Sequence, residues 1–221
     1  MRSVQADHFQ RLLGQGFSEE EAAQRTQLGV VSEDGYWVWV REVLQFPSGQ
    51  LAIYNRFIHQ YSLKKFPGHP VVCAVALVLL PDQKIAVNLM FRNGTRSWEI
   101  ELPRGAIDPG ENSEQAARRE VQEETGYRVD TLSYLGSTSL DSAMIPHYFH
   151  YYFANTSEKG DTDREEGELI ASVMAFSKDE LKEALARGEI EVDINGRKVV
   201  AFCRDQHMAY ALLLAEARGL L

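Results

Sequence analysis

Residues 105–127, with the sequence GAIDPGENSEQAARREVQEETGY, form the segment that most constrains how this chain can fold. Asp-Pro-Gly at 108–110 is typical of a turn, and Ser113 is predicted to cap the helix that follows. The two alanines that come next favour a helix, and Gly126 is typical of a helix end. The segment therefore predicts a loop, a short helix and a second loop.

Three carboxylates, Glu120, Glu123 and Glu124, crowd one face of the predicted helix. At about 100° per residue they fall within an arc of roughly 100°, and like charges at this spacing repel by a few tenths of a kcal/mol per pair. A hard divalent cation with oxygen ligands would remove that repulsion. A magnesium-binding cluster is our hypothesis, and an ordinary solvated charged surface is the alternative.

The spacing of glycine, arginine and glutamate in this segment resembles the signature of the Nudix hydrolases at every specified position. The matching residues are Gly105, Glu111, Arg119, Glu120, Glu123, Glu124 and Gly126. So many fixed positions in so short a segment rarely coincide by chance. The resemblance implies an α+β protein with the Nudix fold, an α/β/α sandwich around a mixed sheet, that cleaves phosphoanhydride bonds with divalent metal.

The resemblance also implies roles for individual residues. Glu120 and Glu124 would be the principal metal ligands, with Mg²⁺ as the expected ion and Mn²⁺ as the alternative. Glu123 would have a supporting catalytic role or bind a second metal. Arg119 would hold the carboxylates through charge-assisted hydrogen bonds, and Glu111 would be a structural tie within the loop.

The sequence Glu-Leu-Pro-Arg-Gly at 101–105 resembles the same segment of ADP-ribose and nucleoside-diphosphate-sugar pyrophosphatases. In that branch the residue before the glycine offers its backbone carbonyl to a metal, and that residue is Arg104 here. Family members often carry a small residue at this position. Residues 139–146 lack the Pro-Gly pair usual in ADP-ribose pyrophosphatases, so the resemblance predicts the reaction better than it predicts ADP-ribose as substrate.

The polar, acidic segment 155–168 is predicted to be a mobile loop. It is similar to the loop of ADP-ribose pyrophosphatases that delivers a catalytic glutamate and a further metal ligand on closure. By position, Glu166 would be the catalytic base and Glu168 the ligand, and a slip of one residue would select Glu165 instead. An acidic loop exposed to solvent is the alternative.

Arginines near these segments are candidate phosphate contacts because a guanidinium fork matches phosphate oxygens. These substrate-binding candidates are Arg56, Arg92, Arg96 and Arg104.

An aromatic side chain could stack on the base of a nucleotide. Trp37 is our candidate, with Tyr36 and Trp98 as alternatives, and packing in the core is the competing explanation for both tryptophans.

An aromatic hairpin, with strands predicted at 36–44 and 51–58, precedes this part of the chain. It resembles the N-terminal sheet through which ADP-ribose pyrophosphatases pair, so we expect a homodimer, and packing on its own chain is the alternative. The predicted organisation is a short helical extension at 1–30, the hairpin region at 31–66 and a Nudix domain at 67–221.

The other predicted elements are short strands and helices. Strands are predicted at 71–80, 85–91, 132–138, 147–153 and 169–176, with a small hairpin at 189–202. Helices are predicted at 4–13, 18–26 and 178–186, and a last one begins after Asp205. In this last helix Met208, Leu212 and Leu213 are expected to face the core.

Composition excludes several classes of protein. The chain has 221 residues and a net charge of −9, which argues against general binding of nucleic acid or of an anionic membrane surface. Cys73 and Cys203 have neither zinc nor disulfide spacing, which indicates a reducing compartment. Because no apolar run reaches the length of a membrane span and no signal peptide is visible, we expect a soluble cytoplasmic protein.

The substrate is predicted to be a nucleotide sugar, cleaved to a nucleoside monophosphate and a sugar phosphate. A Nudix hydrolase of dinucleoside polyphosphates, capped RNA or nucleoside triphosphates is the main alternative, although those branches usually lack the aromatic hairpin and the late acidic loop. A non-catalytic sensor of ADP-ribose is a further alternative. Such sensors commonly lose glutamates that this chain retains.

Overall fold

The computed structural model describes residues 2–60, 71–162 and 169–221. The chain divides into two compact units, which are residues 1–71 with 139–147 and residues 72–138 with 148–221. The glutamate-rich helix predicted from the sequence belongs to the second unit. The predicted organisation into extension, hairpin region and Nudix domain stays a prediction.

The described part of the first unit contains two helices and a three-stranded antiparallel sheet. Its elements are α1 (Arg2–Gly14), α2 (Glu19–Thr26), β1 (Gly29–Glu33), β2 (Trp37–Gln45) and β3 (Leu51–His59). Before α2, the Ser18 hydroxyl accepts a hydrogen bond from the Glu21 backbone and the Glu21 carboxylate accepts one from the Ser18 backbone, as the capping motif in the sequence predicts. The predicted hairpin is confirmed as β2 and β3, whereas the sequence did not predict β1.

Within the described residues, a mixed sheet of nine strands forms the centre of the second unit. Its strands are β4 (Val71–Leu79), β5 (Ile85–Arg92), β6 (Ser97–Glu101), β7 (Arg104–Ala106), β8 (Tyr127–Asp141), β9 (Ile145–Lys159), β10 (Ile170–Phe176), β11 (Glu189–Ile194) and β12 (Arg197–Phe202). The strand order is β11-β12-β6-β5-β4-β9-β8, with β10 paired to β5 and β7 paired to β4. β12 and β6 are parallel, whereas β5 is antiparallel to its neighbours.

Helices cover both faces of this sheet. They are α3 (Ser113–Glu120), α4 (Lys178–Arg187) and α5 (Gln206–Ala217). Along β4, Val75 and Leu77 pack in the cluster that includes α4 and α5, whereas Ala74 packs with α3 on the opposite face. β4 is apolar throughout because it is buried on both faces. Since helices pack on both faces of the sheet, the predicted α/β/α sandwich around a mixed sheet is confirmed. None of the described helices is both long and apolar enough to cross a membrane.

The cap of α3 differs from the prediction by one residue. Asn112 is the N-cap, because its side chain accepts a hydrogen bond from the Gln115 backbone and the Gln115 side-chain oxygen accepts one from the Asn112 backbone. Ser113 is the first helical residue, and its hydroxyl lies 2.6 Å from the hydroxyl of Tyr152. Asparagine and serine are equally good caps, so the pairing with Gln115 and the packing against Tyr152 decide between them.

After α3 the chain continues as a π-helical turn, Val121–Thr125, and ends at Gly126. Gly126 has a φ of 77°, and a Cβ there would lie 2.7 Å from the carbonyl oxygen of Gly160. The predicted stop at Gly126 is confirmed, but the three glutamates do not share one regular α-helical face. π-helical turns inside or at the end of α-helices are frequent at functional sites.

β8 and β9 are longer than the sequence predicted. β9 includes residues 155–159, which the polar composition assigned to a loop. Side chains across the two strands account for the difference, since Asn155 donates to Thr131 and Ser157 donates to Asp130. Residues 163–168 of the predicted loop lie outside the described residues.

One predicted core residue of α5 is wrong. Leu213 is 61% exposed, whereas Met208 and Leu212 are buried as expected. Buried positions on this helix follow the spacing of Met208, Ala211, Leu212 and Ala215. Leu213 lies about 100° around the helix from Leu212, which takes it off the buried face.

Stability at acid pH is expected to depend on His207, which is buried on α5 with Nδ1 2.7 Å from the Tyr151 hydroxyl. Burial, with the charge of Arg104 nearby, lowers the pKa of His207 from 6.5 to about 4. Because the folded protein binds fewer protons here than the unfolded chain, the stabilisation is complete above pH 6.5 and is lost as the pH falls towards 4. By about pH 5 the loss is roughly 2 kcal/mol.

Urea unfolding of the wild type and of His207→Gln, at about pH 7.5 and about pH 5, measures this contribution. The wild type should lose roughly 2 kcal/mol more than the variant between the two conditions. Equal losses would show that His207 is not the group that titrates.

Candidate active site

Arg119, near the end of α3, makes most of the ionic contacts of the glutamate-rich segment. Its Nε donates to Glu111 at 3.0 Å, and its Nη1 donates to Glu120 at 2.7 Å and to Glu123 at 2.9 Å. Nη2 donates to the carbonyl oxygen of Ala106 at 2.8 Å. One guanidinium therefore offsets part of the repulsion between the glutamates, which the sequence analysis expected a metal ion to remove. It also fixes three carboxylates relative to β7.

The charge of Arg119 is secure at any physiological pH. Burial lowers the pKa of its guanidinium, but the hydrogen bonds that Arg119 donates to Glu111 and the charge of Glu120 outweigh this and raise the pKa. Glu111 also accepts a hydrogen bond from the Asp108 backbone, so it ties the loop to the helix as the sequence predicted.

Arg119→Lys should lower kcat about tenfold, because a lysine keeps the charge but lacks the planar fork that holds three carboxylates. The free energy of unfolding should fall by about 1–2 kcal/mol, since the side chain is 27% exposed and solvent screens part of the interaction. Arg118→Lys is the matched control, because Arg118 pairs with the exposed Glu114 one position along the helix. Steady-state kinetics with urea unfolding measures both variants, and similar losses of kcat would contradict the role of Arg119.

Glu120 is buried against the backbone of β7. Its side chain is 8% exposed, and a Cβ added at Gly105 would overlap its carboxylate. Only glycine lets a carboxylate lie this close to the strand. Gly105 therefore provides a cradle for Glu120, which is a physical reason for a glycine at this position of the motif.

Glu124, in the π-helical turn, is 3% exposed and is held from two strands. Asn88 on β5 donates Nδ2 to Glu124 Oε2 at 2.6 Å, and the Arg104 backbone donates to the same oxygen at 3.2 Å. Asn88 itself is 1% exposed, and its Oδ1 accepts no hydrogen bond from the described residues. A buried acceptor without a donor costs about 1–3 kcal/mol, which favours a bound group that supplies the donor.

The oxygens of Glu120 and Glu124 and the carbonyl of Arg104 are hard donors of the kind that Mg²⁺ and Mn²⁺ prefer. Among residues 2–60, 71–162 and 169–221, no three histidine, cysteine or acidic side chains are grouped so that they could hold a metal ion by themselves. A divalent ion here would therefore need further ligands. The predicted one, Glu168, lies outside the described residues, as do Glu165 and Glu166.

Two arginines and two carboxylates form a ladder beside Glu124. Arg92 donates Nε to both oxygens of Glu101 at 3.1 Å and Nη2 to Oε2 at 2.5 Å. Arg104 donates Nη2 to the same Glu101 oxygen at 2.5 Å and Nη1 to Asp205 at 3.0 Å. Asp205 also accepts a hydrogen bond from the Leu102 backbone at 3.1 Å. The sequence expected the Arg104 side chain to be open to a phosphate, whereas the structure places it between two carboxylates.

The two arginines of the ladder border a cleft of about 340 Å³ in the second unit. Its lining residues are Met90, Phe91, Arg92, Asn93, Gly94, Arg104, Glu124 and Leu169. The cleft thus brings together three of the predicted site residues, two cationic and one acidic. Such a mixture suits an anion that arrives together with a divalent ion.

The remaining predicted substrate contacts lie elsewhere. Arg96 is exposed at a turn with a φ of 52° and does not line the cleft. Arg56 and Trp37 belong to the first unit, where Arg56 pairs with Glu42 at 2.6 Å and Trp37 stacks on His147 with ring centroids 5.6 Å apart. Their roles in substrate binding stay predictions.

Sequence reasoning missed three residues of this site. Asn88 is a polar residue in the otherwise apolar strand β5, and that interruption was the available signal. Asp205 was recognised only as a residue that opens a helix. Glu101 was read as part of a motif, and nothing local to it shows that it joins Arg92 to Arg104.

The fold is an α/β/α sandwich, and its candidate site has buried glutamates beside an arginine-lined cleft. Comparison with known proteins identifies the family. Residues 69–193 match the family model of the NUDIX domain, which is more than half of the chain. The chain belongs to the Nudix family, and the resemblance seen in its sequence is confirmed.

Individual relatives match parts of this chain. The chain is 37% identical over 76 residues to the ADP compounds hydrolase NudE of Escherichia coli K12, which covers 34% of this chain and 39% of that protein. It is 27% identical over 130 residues to the ADP-ribose pyrophosphatase of Bacillus subtilis 168, which covers 57% of this chain and 64% of that protein. The chain therefore spans less than two thirds of the length of either relative.

A solved crystal structure of an ADP compounds hydrolase resembles this chain with a TM-score of 0.66 and 18% identity. The match covers 87% of this chain and 93% of that structure. At this identity the likeness shows the fold, and it agrees with the Nudix fold predicted from the sequence.

Proposed function

We propose that this protein is a metal-dependent pyrophosphohydrolase that cleaves the phosphoanhydride bond of a nucleoside diphosphate linked to a sugar. The products are a nucleoside monophosphate and a sugar phosphate. The observation that carries this proposal is the buried Glu124, which lines the same cleft as Arg92 and Arg104. A carboxylate that can bind a divalent ion, beside guanidinium groups that can bind phosphate, suits an anhydride between two phosphates.

Glu120, Glu124 and the carbonyl oxygen of Arg104 would hold a divalent ion, which we propose to be Mg²⁺ with Mn²⁺ as the alternative. When bound, such an ion neutralises phosphate charge and acidifies a water molecule. Arg119 keeps Glu120 in its cradle, and Asn88 keeps Glu124 turned towards β5.

Proton transfer is assigned to residues beyond the described part of the chain. We propose Glu166 as the general base that takes the proton of the attacking water, with Glu165 as the alternative, and Glu168 as a further metal ligand. Arg92 would bind phosphate oxygens and Arg96 a more distant part of the substrate. Glu123 would support Glu120 through their shared partner, Arg119.

The printed names of the two relatives support this choice of substrate class. One is named for ADP compounds and the other for ADP-ribose, and both are called hydrolase or pyrophosphatase. The absence of the Pro-Gly pair from residues 139–146 favours a nucleotide sugar other than ADP-ribose. We therefore propose the class of bond with its two products and leave the base and the sugar to experiment.

We further propose that the protein is a homodimer that pairs through the sheet of the first unit. Four apolar or aromatic side chains of this sheet, Val30, Trp37, Leu44 and Tyr54, are 36–49% exposed, and Tyr36 and Phe46, which flank β2, are 70% and 41% exposed. Exposed apolar side chains of this number are typical of an interaction surface. Light scattering on the purified protein should give twice the mass of one chain, and a monomer at micromolar concentration would contradict the proposal.

A cytoplasmic location is proposed from the thiols. Cys73 and Cys203 form no disulfide, and burial raises the pKa of each thiol to about 11. Thiols that stay protonated at neutral pH are inert and suit a reducing compartment.

A hydrolysis panel tests the proposed reaction. The substrates are several nucleoside diphosphate sugars, ADP-ribose, a dinucleoside polyphosphate, a capped oligonucleotide and nucleoside triphosphates, each with Mg²⁺ or Mn²⁺ and with EDTA. Phosphorus NMR identifies the products. We expect a nucleoside monophosphate and a sugar phosphate from at least one nucleotide sugar, and no turnover with EDTA. A clear preference for triphosphates would overturn the substrate class, and no turnover of any substrate would overturn the proposed activity.

A further inference from the structure

The ladder of Arg92, Glu101, Arg104 and Asp205 has a feature that simple ion pairing does not require. Glu101 is a single carboxylate that bridges two guanidinium groups, and both of those groups line the cleft. The Glu101 side chain is 10% exposed and that of Asp205 is 4% exposed, whereas Arg92 is 42% exposed. The carboxylates are therefore buried behind the arginines, and the arginines face the cleft.

Two cations that line one small cleft repel each other unless a counter-charge lies between them. Glu101 supplies that counter-charge, and Asp205 binds the far side of Arg104. A guanidinium has five N–H groups in a planar fork, and the ladder engages Nε and Nη2 of Arg92 and Nη1 and Nη2 of Arg104. Donors therefore remain on each arginine, in fixed directions, for the oxygens of a phosphate.

Asp205 connects this ladder to a distant part of the chain. Its Oδ1 accepts a hydrogen bond from the His207 backbone and caps α5, while its Oδ2 binds Arg104 and the Leu102 backbone. The segment between β6 and β7 is thereby fixed to the start of the last helix. Arg104, the first residue of β7, follows this segment directly, and its backbone donates a hydrogen bond to Glu124, so the position of the segment affects the cleft.

We infer that Glu101 and Asp205 are positioning residues that hold Arg92 and Arg104 as a preformed receptor for the diphosphate of the substrate. The identity of the diphosphate as part of a nucleotide sugar rests on the proposed function, but the receptor itself does not. Preformed donors cost no rotamer ordering when the anion binds, so loosening the ladder weakens binding more than it slows the chemical step.

The test compares Glu101→Gln and Asp205→Asn with a matched control on the same strand. Glu99 also lies on β6, its side chain is 7% exposed and it pairs with Arg204 at 2.6 Å, but neither residue lines the cleft. Glu99→Gln therefore removes an equally buried carboxylate from an arginine without touching the ladder. Thermal unfolding of all three variants shows whether each is folded under the conditions of the assay.

With the preferred nucleotide sugar, Glu101→Gln is expected to raise KM about tenfold and to change kcat less than about threefold. Asp205→Asn is expected to act in the same direction, because an amide cannot accept both hydrogen bonds at Oδ2 and also keep the helix cap. Glu99→Gln should leave KM within about twofold of the wild type. Equal increases in KM for Glu99→Gln and Glu101→Gln would overturn the inference.

Combined variants separate positioning from direct contact. If Glu101 acts through the arginines, adding Glu101→Gln to Arg92→Met and Arg104→Met should raise KM by no more than about twofold beyond the arginine variants. A full further tenfold increase would show that Glu101 contacts the substrate itself, which contradicts the positioning role.

Binding of inorganic pyrophosphate without metal distinguishes this inference from the proposed function. In proton–nitrogen NMR spectra the Nε–H signals of Arg92 and Arg104 should shift when pyrophosphate is added. Glu101→Gln should raise the dissociation constant for pyrophosphate about tenfold, whereas Glu99→Gln should not. If the wild type hydrolyses no substrate but this pattern is seen, the proposed function fails and the receptor stands. If the wild type is active but these signals do not respond to pyrophosphate, the receptor fails and the proposed function stands.

Discussion

Glu124→Gln is expected to lower kcat more than about 100-fold and to leave the protein folded. Two hydrogen bonds to this side chain go to Oε2, from Asn88 at 2.6 Å and from the Arg104 backbone at 3.2 Å. A glutamine can place its carbonyl oxygen there and keep both bonds, so the free energy of unfolding should change by no more than about 1 kcal/mol. The negative charge is lost, and with it the attraction for a divalent ion.

Glu114→Gln is the control for this experiment. Glu114 lies on α3 but is 56% exposed, and among the described residues it pairs with the neighbouring Arg118. Steady-state kinetics at saturating Mg²⁺, with circular dichroism and thermal unfolding, measures both variants. If Glu124→Gln kept more than about a third of the wild-type kcat, the assignment of Glu124 as a metal ligand would be wrong.

Gly105→Ala is expected to cost about 50-fold or more in kcat, with a smaller effect on stability. A Cβ at this position would overlap the Glu120 carboxylate, which is buried and hydrogen-bonded to Arg119. The carboxylate is at the end of a flexible side chain, so it can swing away without unfolding the strand. Once it has moved, it can neither hold a metal with Glu124 nor keep its bond to Arg119.

The measurement for Gly105→Ala combines kinetics with binding of Mn²⁺ followed by electron paramagnetic resonance. Affinity for Mn²⁺ should fall about 10-fold to 100-fold. Gly14→Ala is the control, because a Cβ at Gly14 meets nothing within 4 Å. Unchanged Mn²⁺ affinity in Gly105→Ala would show that Glu120 does not need its cradle to bind metal.

Some elements were predictable because neighbours in the chain determine them. The capping box of Ser18 and Glu21, the apolar strand β4 and the hairpin that turns at Asn195-Gly196 all formed as the sequence indicated. In each case the deciding interactions lie within a few residues or follow from a repeating burial pattern. Local rules alone were insufficient where two local choices were nearly equal, as with Asn112 and Ser113, or where partner strands extended a polar segment, as in β9.

The spacing of glycine, arginine and glutamate between Gly105 and Gly126 determined the family, because each residue type suits one place in the loop and helix of the Nudix motif. The tertiary structure decided which groups surround those glutamates. Asn88 is 36 residues from Glu124, and Asp205 is 101 residues from Arg104, so neither contact has a local signal. Such contacts exist only once the sheet and the last helix have packed. The sequence therefore predicts the helix that carries the glutamates, but it does not predict the ladder beside the cleft.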